Sequence, residues 1–94
     1  MIIITAKFFI KAEKRAPFLE DINKLIPSSR QDEGSLSYDF YESLETPNDF
    51  VMVENWASEA AVAKHNQNPL LLALLEKIGA YSREDAIIQV AEEK

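Results

Sequence analysis

The side chains best suited to chemistry in this sequence lie close together between residues 54 and 65. His65 is the only histidine and Trp56 the only tryptophan of the 94 residues. Imidazole titrates near neutral pH, so it can act as a general base or acid. Glu54 precedes Trp56 by two positions, and Ser58 follows as a good helix N-cap. This spacing predicts a strand-to-helix corner that carries proton-transfer groups.

Strand alternation brings further aromatic and polar side chains to the same side. Residues two apart on a strand share a face, and His65 shares a helical stripe with Ala61 and Val62. The strand residues expected on the face beneath the helices are Phe8, Tyr38, Phe40, Met52, Glu54 and Trp56. Mostly apolar walls with a few polar groups are typical of small-molecule sites. Asn55 alternates to the opposite face and would join the set only if its strand bulges.

Each candidate also has a purely structural interpretation. A single histidine on a partly apolar helix is often structural, and a tryptophan at a strand end is first a core aromatic. Tyr38 can be ordinary packing with its hydroxyl at a wet rim. Glu54 either pairs with His65 or a lysine, or lies at an exposed strand end, because carboxylates are seldom buried alone. Two acidic pairs are interpreted as solvated surface, Asp32-Glu33 and Glu84-Asp85.

Hydrophobic periodicity predicts the element order β-α-β-β-α-β. The expected strands are residues 2–11, 35–43, 50–56 and 86–91, before a charged tail, Glu92-Glu93-Lys94. The expected helices are residues 13–29, a short helix after Ser58, and a longer one that Asn68-Pro69 restarts and Gly79 ends. This order is typical of a ferredoxin-like α+β fold, in which the helices cover one face of an antiparallel sheet. Residues 1–94 are interpreted as a single domain.

Composition excludes several functional classes. Ten basic and sixteen acidic residues give a net charge of −6, which argues against nucleic acid and anionic membranes as partners. The absence of cysteine excludes disulfides and thiolate metal sites, and no metal-ligand spacing surrounds the one histidine. No glycine-rich nucleotide motif occurs. With no signal peptide or membrane span expected, a cytoplasmic location is predicted.

The second face of the predicted sheet is too apolar to remain in water. The side chains expected there include Ile3, Phe9, Val51, Val53 and Ile87. Large exposed apolar patches usually mark interfaces. We therefore expect a homodimer in which two sheets pack face to face.

The pattern Gly34-x-x-x-Tyr38, Phe50-x-x-x-Glu54-x-Trp56-x-Ser58, Ala61-x-x-x-His65 resembles the antibiotic biosynthesis monooxygenase family. The resemblance covers nearly the whole chain. It implies a dimeric α/β barrel and an oxidoreductase that oxidises a small phenol or quinol with O2. It also implies that no metal, flavin or other cofactor takes part.

The resemblance implies a role for each candidate residue. His65 would be the base or proton shuttle, Trp56 and Tyr38 would orient and donate hydrogen bonds, and Glu54 would set the histidine tautomer. The expected substrate-binding residues are Phe8, Phe40, Met52 and Asn55.

Two alternatives remain open at the level of the sequence. Many family members carry a histidine or aromatic residue after the proline that follows the conserved histidine, where this chain has Leu70 and Leu71. That departure favours a non-catalytic small-molecule-binding dimer. A non-redox isomerase would use the same His65 and Glu54.

Overall fold

The computed structural model describes residues 1–93, so that Lys94, the end of the predicted charged tail, lies outside the described residues. The strands are β1 (Ile2–Ile10), β2 (Ser35–Glu42), β3 (Asp49–Trp56) and β4 (Ser82–Glu92). The helices are α1 (Arg15–Arg30), α2 (Glu59–His65) and α3 (Pro69–Tyr81), with a 3-10 turn, Ala12–Lys14, before α1. The strands form one antiparallel sheet in the order β2-β3-β1-β4. The predicted ferredoxin-like α+β class is confirmed.

The hydrophobic core lies between the helices and one face of the sheet. Alternate residues of β1, from Ile2 to Ile10, are buried against the helices, as its period-two pattern requires. Phe18 of α1 is fully buried at the centre. Its ring lies 5.6 Å from that of Phe8 and 5.3 Å from that of Phe50, which is the usual range for aromatic pairs.

Helix α2 is fixed at its start by two local features. The Ser58 side chain accepts a hydrogen bond from the Ala61 N–H at 3.2 Å, as predicted for an N-cap. Gly34, at φ +83°, lies directly against Ala61, and a Cβ at Gly34 would overlap the Ala61 Cβ. Glycine therefore allows α2 to approach the turn between α1 and β2.

Helix α3 begins as predicted but ends later. The Asn68 side chain caps it by accepting from the Leu70 N–H at 2.9 Å, and Pro69 occupies its first position. The prediction that Gly79 ends the helix was wrong, because α3 continues to Tyr81. Tyr81 is buried, and its hydroxyl donates to Asp21 at 2.7 Å. These contacts outweigh the cost of about 1 kcal/mol for a glycine inside a helix.

Two strand details also differ from expectation. Strand β4 starts at Ser82, four residues before the predicted start, since it continues pairing with β1 as far as Ile10. In β2 the register shifts between Ser35 and Ser37, and Leu36 is exposed. Strict alternation would place Leu36 on the same face as Tyr38, and the local bulge instead turns it away from the core.

The second face of the sheet is not covered by any element of residues 1–93. Register pairing places Thr5 beside Val53 and Lys7 beside Val51 on this face. Its side chains are half-buried or exposed. Among the same described residues, every helix is too short or too polar to cross a membrane.

Candidate active site

A cavity of about 250 Å³ lies between the helices and the covered face of the sheet. Its walls are mainly aliphatic, with Leu71, Leu74 and Leu75 of α3 on one side. Five of the candidate residues line it: Phe8, Tyr38, Met52, Glu54 and His65. The structure therefore brings the imidazole, a carboxyl group and a phenol to one mostly apolar space.

His65 lies at the end of α2 and is only 2% exposed. Its ring packs against Trp56, with 4.5 Å between ring centroids, and against Tyr38 at 5.5 Å. Nδ1 lies 2.9 Å from Oδ2 of Asp32, and Nε2 lies 3.7 Å from Oε1 of Glu54. The imidazole is thus held between two carboxyl groups, of which Glu54 lines the cavity.

Glu54 is buried on β3, so the alternative of an exposed strand end does not hold. The fully buried Trp56 donates its indole N–H to Glu54 Oε1 at 2.9 Å. Burial raises the pKa of the Glu54 carboxyl above its ordinary value, while the Trp56 hydrogen bond and the charge of His65 act in the opposite direction. Glu54 can therefore keep or lose a proton within the site.

Tyr38 contributes a hydroxyl that stays protonated. Burial raises the pKa of Tyr38, and the nearby charges of Glu54 and Asp32 raise it further. The neighbouring Ser29 hydroxyl acts in the opposite direction on the Tyr38 pKa. The phenol is suited to donating a hydrogen bond rather than to accepting a proton.

Two functional candidates were missed by the sequence analysis. Asp32, interpreted as solvated surface, contacts His65 Nδ1, and Asn68, interpreted only as a cap, donates to Asp32 Oδ2 at 3.1 Å. The closest contact with the imidazole is thus made by Asp32, where Glu54 was expected to set the tautomer. A sequence signal for this contact is Gly34, two residues after Asp32. The absence of a side chain at Gly34 lets this turn approach α2 closely.

Three other candidates lie outside the cavity wall. Trp56 lies behind His65 and reaches the site through Glu54. Phe40 stacks on Phe50 in the core, with centroids 5.2 Å apart. Asn55 lies on the uncovered face, as alternation predicts, and donates to Ser37 Oγ at 2.5 Å.

Of the two leucines that depart from the family pattern, the one that reaches the cavity is Leu71. It lines the cavity, whereas Leu70 is exposed. The cavity wall is thus aliphatic at a position where the family resemblance would place a histidine or an aromatic residue. Within residues 1–93, no group of three or more His, Cys, Asp or Glu side chains is arranged to hold a metal ion.

Fold and site together define a small ferredoxin-like domain with a buried imidazole at an apolar cavity. The chain belongs to the antibiotic biosynthesis monooxygenase family, whose model matches residues 1–77. That match includes β1 to β3, α1, α2 and most of α3, and therefore every candidate site residue named in this subsection.

Individual relatives agree with this assignment. The Bacillus subtilis (strain 168) protein named "Putative monooxygenase YcnE" is 42% identical over 67 residues, 71% of this chain and 70% of that protein. A crystal structure of an antibiotic biosynthesis monooxygenase is 28% identical, with a TM-score of 0.92 over 100% of this chain and 99% of that one. A conserved protein from Methanosarcina mazei Go1 is 25% identical, with the same TM-score over 99% and 92% of the two chains.

Proposed function

We propose that this protein is a cofactor-independent monooxygenase that oxidises a small phenolic or quinol compound with O2. The observation that carries the proposal is the buried His65 imidazole beside Glu54 at an apolar cavity of about 250 Å³. Family membership supports the monooxygenase class. The size and the aliphatic walls favour a planar molecule of one or two rings.

In the proposed reaction the protein supplies a base, and the substrate itself supplies the electrons. Loss of the phenolic proton makes the substrate electron-rich enough to reduce O2 directly. One oxygen atom enters the substrate and the other leaves as water. The substrate supplies all four electrons that O2 accepts and both hydrogens of the water. A neutral imidazole at the cavity wall can remove the first proton.

The other polar groups assist charge development. The protonated Tyr38 hydroxyl can donate to an oxyanion or a peroxide formed in the cavity. Glu54, anchored by the Trp56 N–H, lies beside Nε2 and can relay the proton. The mostly apolar lining lowers the local polarity around these groups, which strengthens their interactions.

Oxygen uptake with a panel of hydroquinones and naphthols tests the proposal. We expect uptake with at least one compound, and a fall of about 100-fold or more in His65→Ala. Lys64→Ala is the matched control, because Lys64 precedes His65 on α2 but is exposed and pairs with Glu33. Activity should survive exhaustive dialysis against a chelator.

Turnover in the absence of O2 distinguishes the proposed monooxygenase from the isomerase alternative. Turnover must stop under argon, whereas an isomerase on the same residues would continue. Binding of the compounds without uptake or turnover would instead identify a small-molecule-binding protein. Equal rates for wild type and His65→Ala would remove the imidazole from the mechanism.

The same proposal includes a homodimer formed through the uncovered sheet face. That face combines apolar residues, including Ile3, Phe9, Val51, Val53 and Ile87, with a few polar ones. Ile87 is about half exposed in the single chain. A second copy packed on this face would bury it and produce the barrel that the family resemblance implies.

A further inference from the structure

We propose that Asn68 and Asp32 are positioning residues that fix the tautomer of His65, so that Nδ1 carries the proton and Nε2 is the basic nitrogen. The assignment of Nε2 as the catalytic base rests on the proposed function. The assignment of the tautomer rests on hydrogen-bond geometry alone. It makes the N-cap of α3 a part of the candidate active site.

The argument starts from a backbone group whose role cannot change. The Leu70 N–H can only donate, and it donates to Asn68 Oδ1 at 2.9 Å. This contact fixes the orientation of the Asn68 amide. Its Nδ2 must then face the other way, where it donates to Ser28 Oγ at 3.0 Å and to Asp32 Oδ2 at 3.1 Å.

The next step assigns the proton on the imidazole. Asp32 Oδ2 accepts from Asn68, and an ionised carboxylate has no proton to give. His65 Nδ1 lies 2.9 Å from that same oxygen. A hydrogen bond at this distance therefore requires Nδ1–H as donor. The neutral ring then has its lone pair on Nε2, which faces Glu54 at the cavity.

The charges around the ring agree with this arrangement. The titratable groups facing His65 are Asp32 from the α1–β2 turn, Glu54 from β3 and Tyr38 from β2. The neighbouring Lys64 is turned to Glu33 on the surface. When Nε2 takes a proton, Asp32 becomes the counter-charge of the imidazolium ion.

Nuclear magnetic resonance of ¹⁵N-histidine-labelled, tag-free protein tests the tautomer directly. His65 is the only histidine, so the two ring nitrogens give the only labelled ring signals. At about pH 8, where an ordinary imidazole is mostly neutral, we expect a protonated Nδ1 and an unprotonated Nε2. A proton found mainly on Nε2 would overturn the inference.

Substitution of Asp32 tests what fixes the tautomer. Asp32→Ala should convert the single tautomer into a mixture, whereas the control Glu33→Gln, at an adjacent surface carboxylate, should leave it unchanged. An unchanged tautomer in Asp32→Ala would exclude Asp32 as the positioning group. A backbone amide spectrum reports whether each variant remains folded.

The isosteric variant Asp32→Asn tests the contribution of Asn68. The amide Nδ2–H of Asn68 should donate to the oxygen of the new amide and keep it at the shared position, so the Nδ1–H tautomer should persist. In Asp32→Asn combined with Asn68→Ala, the new amide can rotate, and the second tautomer should appear. The inference fails for Asn68 if the single and double variants show the same tautomer ratio.

Kinetics connect the tautomer to turnover. Asp32→Asn should lower kcat by about 10- to 100-fold, with a much smaller change in KM, because the imidazolium loses its counter-charge. Unchanged kinetics would show that Asp32 has no positioning role in turnover. Absence of oxygen uptake in every form would refute the proposed function while leaving the tautomer result intact.

Discussion

Trp56 and His65 meet at one atom, the Oε1 oxygen of Glu54. The indole N–H donates to this oxygen at 2.9 Å, and the imidazole Nε2 lies 3.7 Å from it. The tryptophan ring also packs on the imidazole, with 4.5 Å between centroids. Trp56 therefore places both the histidine ring and its carboxylate neighbour without lining the cavity.

The first prediction concerns this shared oxygen. Trp56→Phe keeps an aromatic ring but removes the donor, which should cost about 1 to 3 kcal/mol of unfolding free energy because a buried carboxyl oxygen loses its partner. The same substitution in a Glu54→Leu background should cost less, since no oxygen is left unpaired. Urea unfolding of the four proteins measures the difference. Equal costs in both backgrounds would contradict the hydrogen-bond assignment.

The second prediction concerns pH and stability. Burial raises the pKa of Glu54 above its ordinary 4.5, so the folded protein holds this proton to higher pH than the unfolded chain does. The contribution of Glu54 to stability is therefore complete below its ordinary pKa and is lost as pH rises through the raised value.

Glu54→Gln should remove this dependence. Relative to the variant, the wild type should lose unfolding free energy as the pH rises above the ordinary glutamate pKa of 4.5. Denaturant unfolding at several pH values provides the measurement, with Glu33→Gln as a surface control. A constant difference between wild type and Glu54→Gln across this range would contradict the raised pKa.

The third prediction uses the only two glycines of the chain as a matched pair. Gly34→Ala should destabilise the fold by about 2 to 4 kcal/mol, because it combines a left-handed backbone with overlap against Ala61. Gly79→Ala should stabilise it by about 0.5 to 1 kcal/mol, because Gly79 lies inside α3 with no heavy atom near its Cβ position. Thermal unfolding of both variants distinguishes them by sign.

The fourth prediction tests whether the cavity holds the substrate. Leu75 and Leu72 are similarly exposed on α3, at 47% and 43%, but only Leu75 lines the cavity. Leu75→Trp should lower kcat/KM by about tenfold or more, whereas Leu72→Trp should not. Surface substitutions of this kind usually change stability by about 0.5 kcal/mol or less, so unfolding curves serve as the control.

The fifth prediction concerns the proposed dimer. Val53→Glu places a charge in the uncovered sheet face and should convert dimers to monomers, since burying an unpaired carboxylate is costly. Leu44→Glu is the control, because Leu44 is fully exposed in the β2–β3 turn. Light scattering after gel filtration reports the mass. A monomeric wild type would refute this interface.

The sequence predicted the ferredoxin-like order because strand alternation and helical stripes report directly on burial. The N-caps Ser58 and Asn68 were likewise evident, because a side-chain oxygen ahead of a helix has a local function. The end of α3 was not, because Tyr81 is held by contacts with Phe18 and Asp21, about 60 residues away in sequence. The sequence around Gly79 gives no indication of these long-range contacts.

The same distinction applies to the candidate site. The covered-face positions of Tyr38, Glu54 and His65 follow from periodicity. The pairing of His65 with Asp32 spans 33 residues and depends on how closely α2 approaches a turn. Sequence charge alone does not separate Asp32 from the equally acidic Glu33, which lies at the surface.

Because β4 lies at one edge of the sheet, the cavity is exposed on the β4 side and enclosed on the His65 side. Ile88 and Val90 of this strand line the cavity and yet remain largely exposed, whereas His65 at the opposite side is enclosed. If the cavity binds a small molecule, as we propose, that molecule would pass Ile88 and Val90 before it reaches the imidazole. Substitutions at Ile88 and Val90 would thus alter which molecules enter the cavity and leave the surroundings of His65 unchanged.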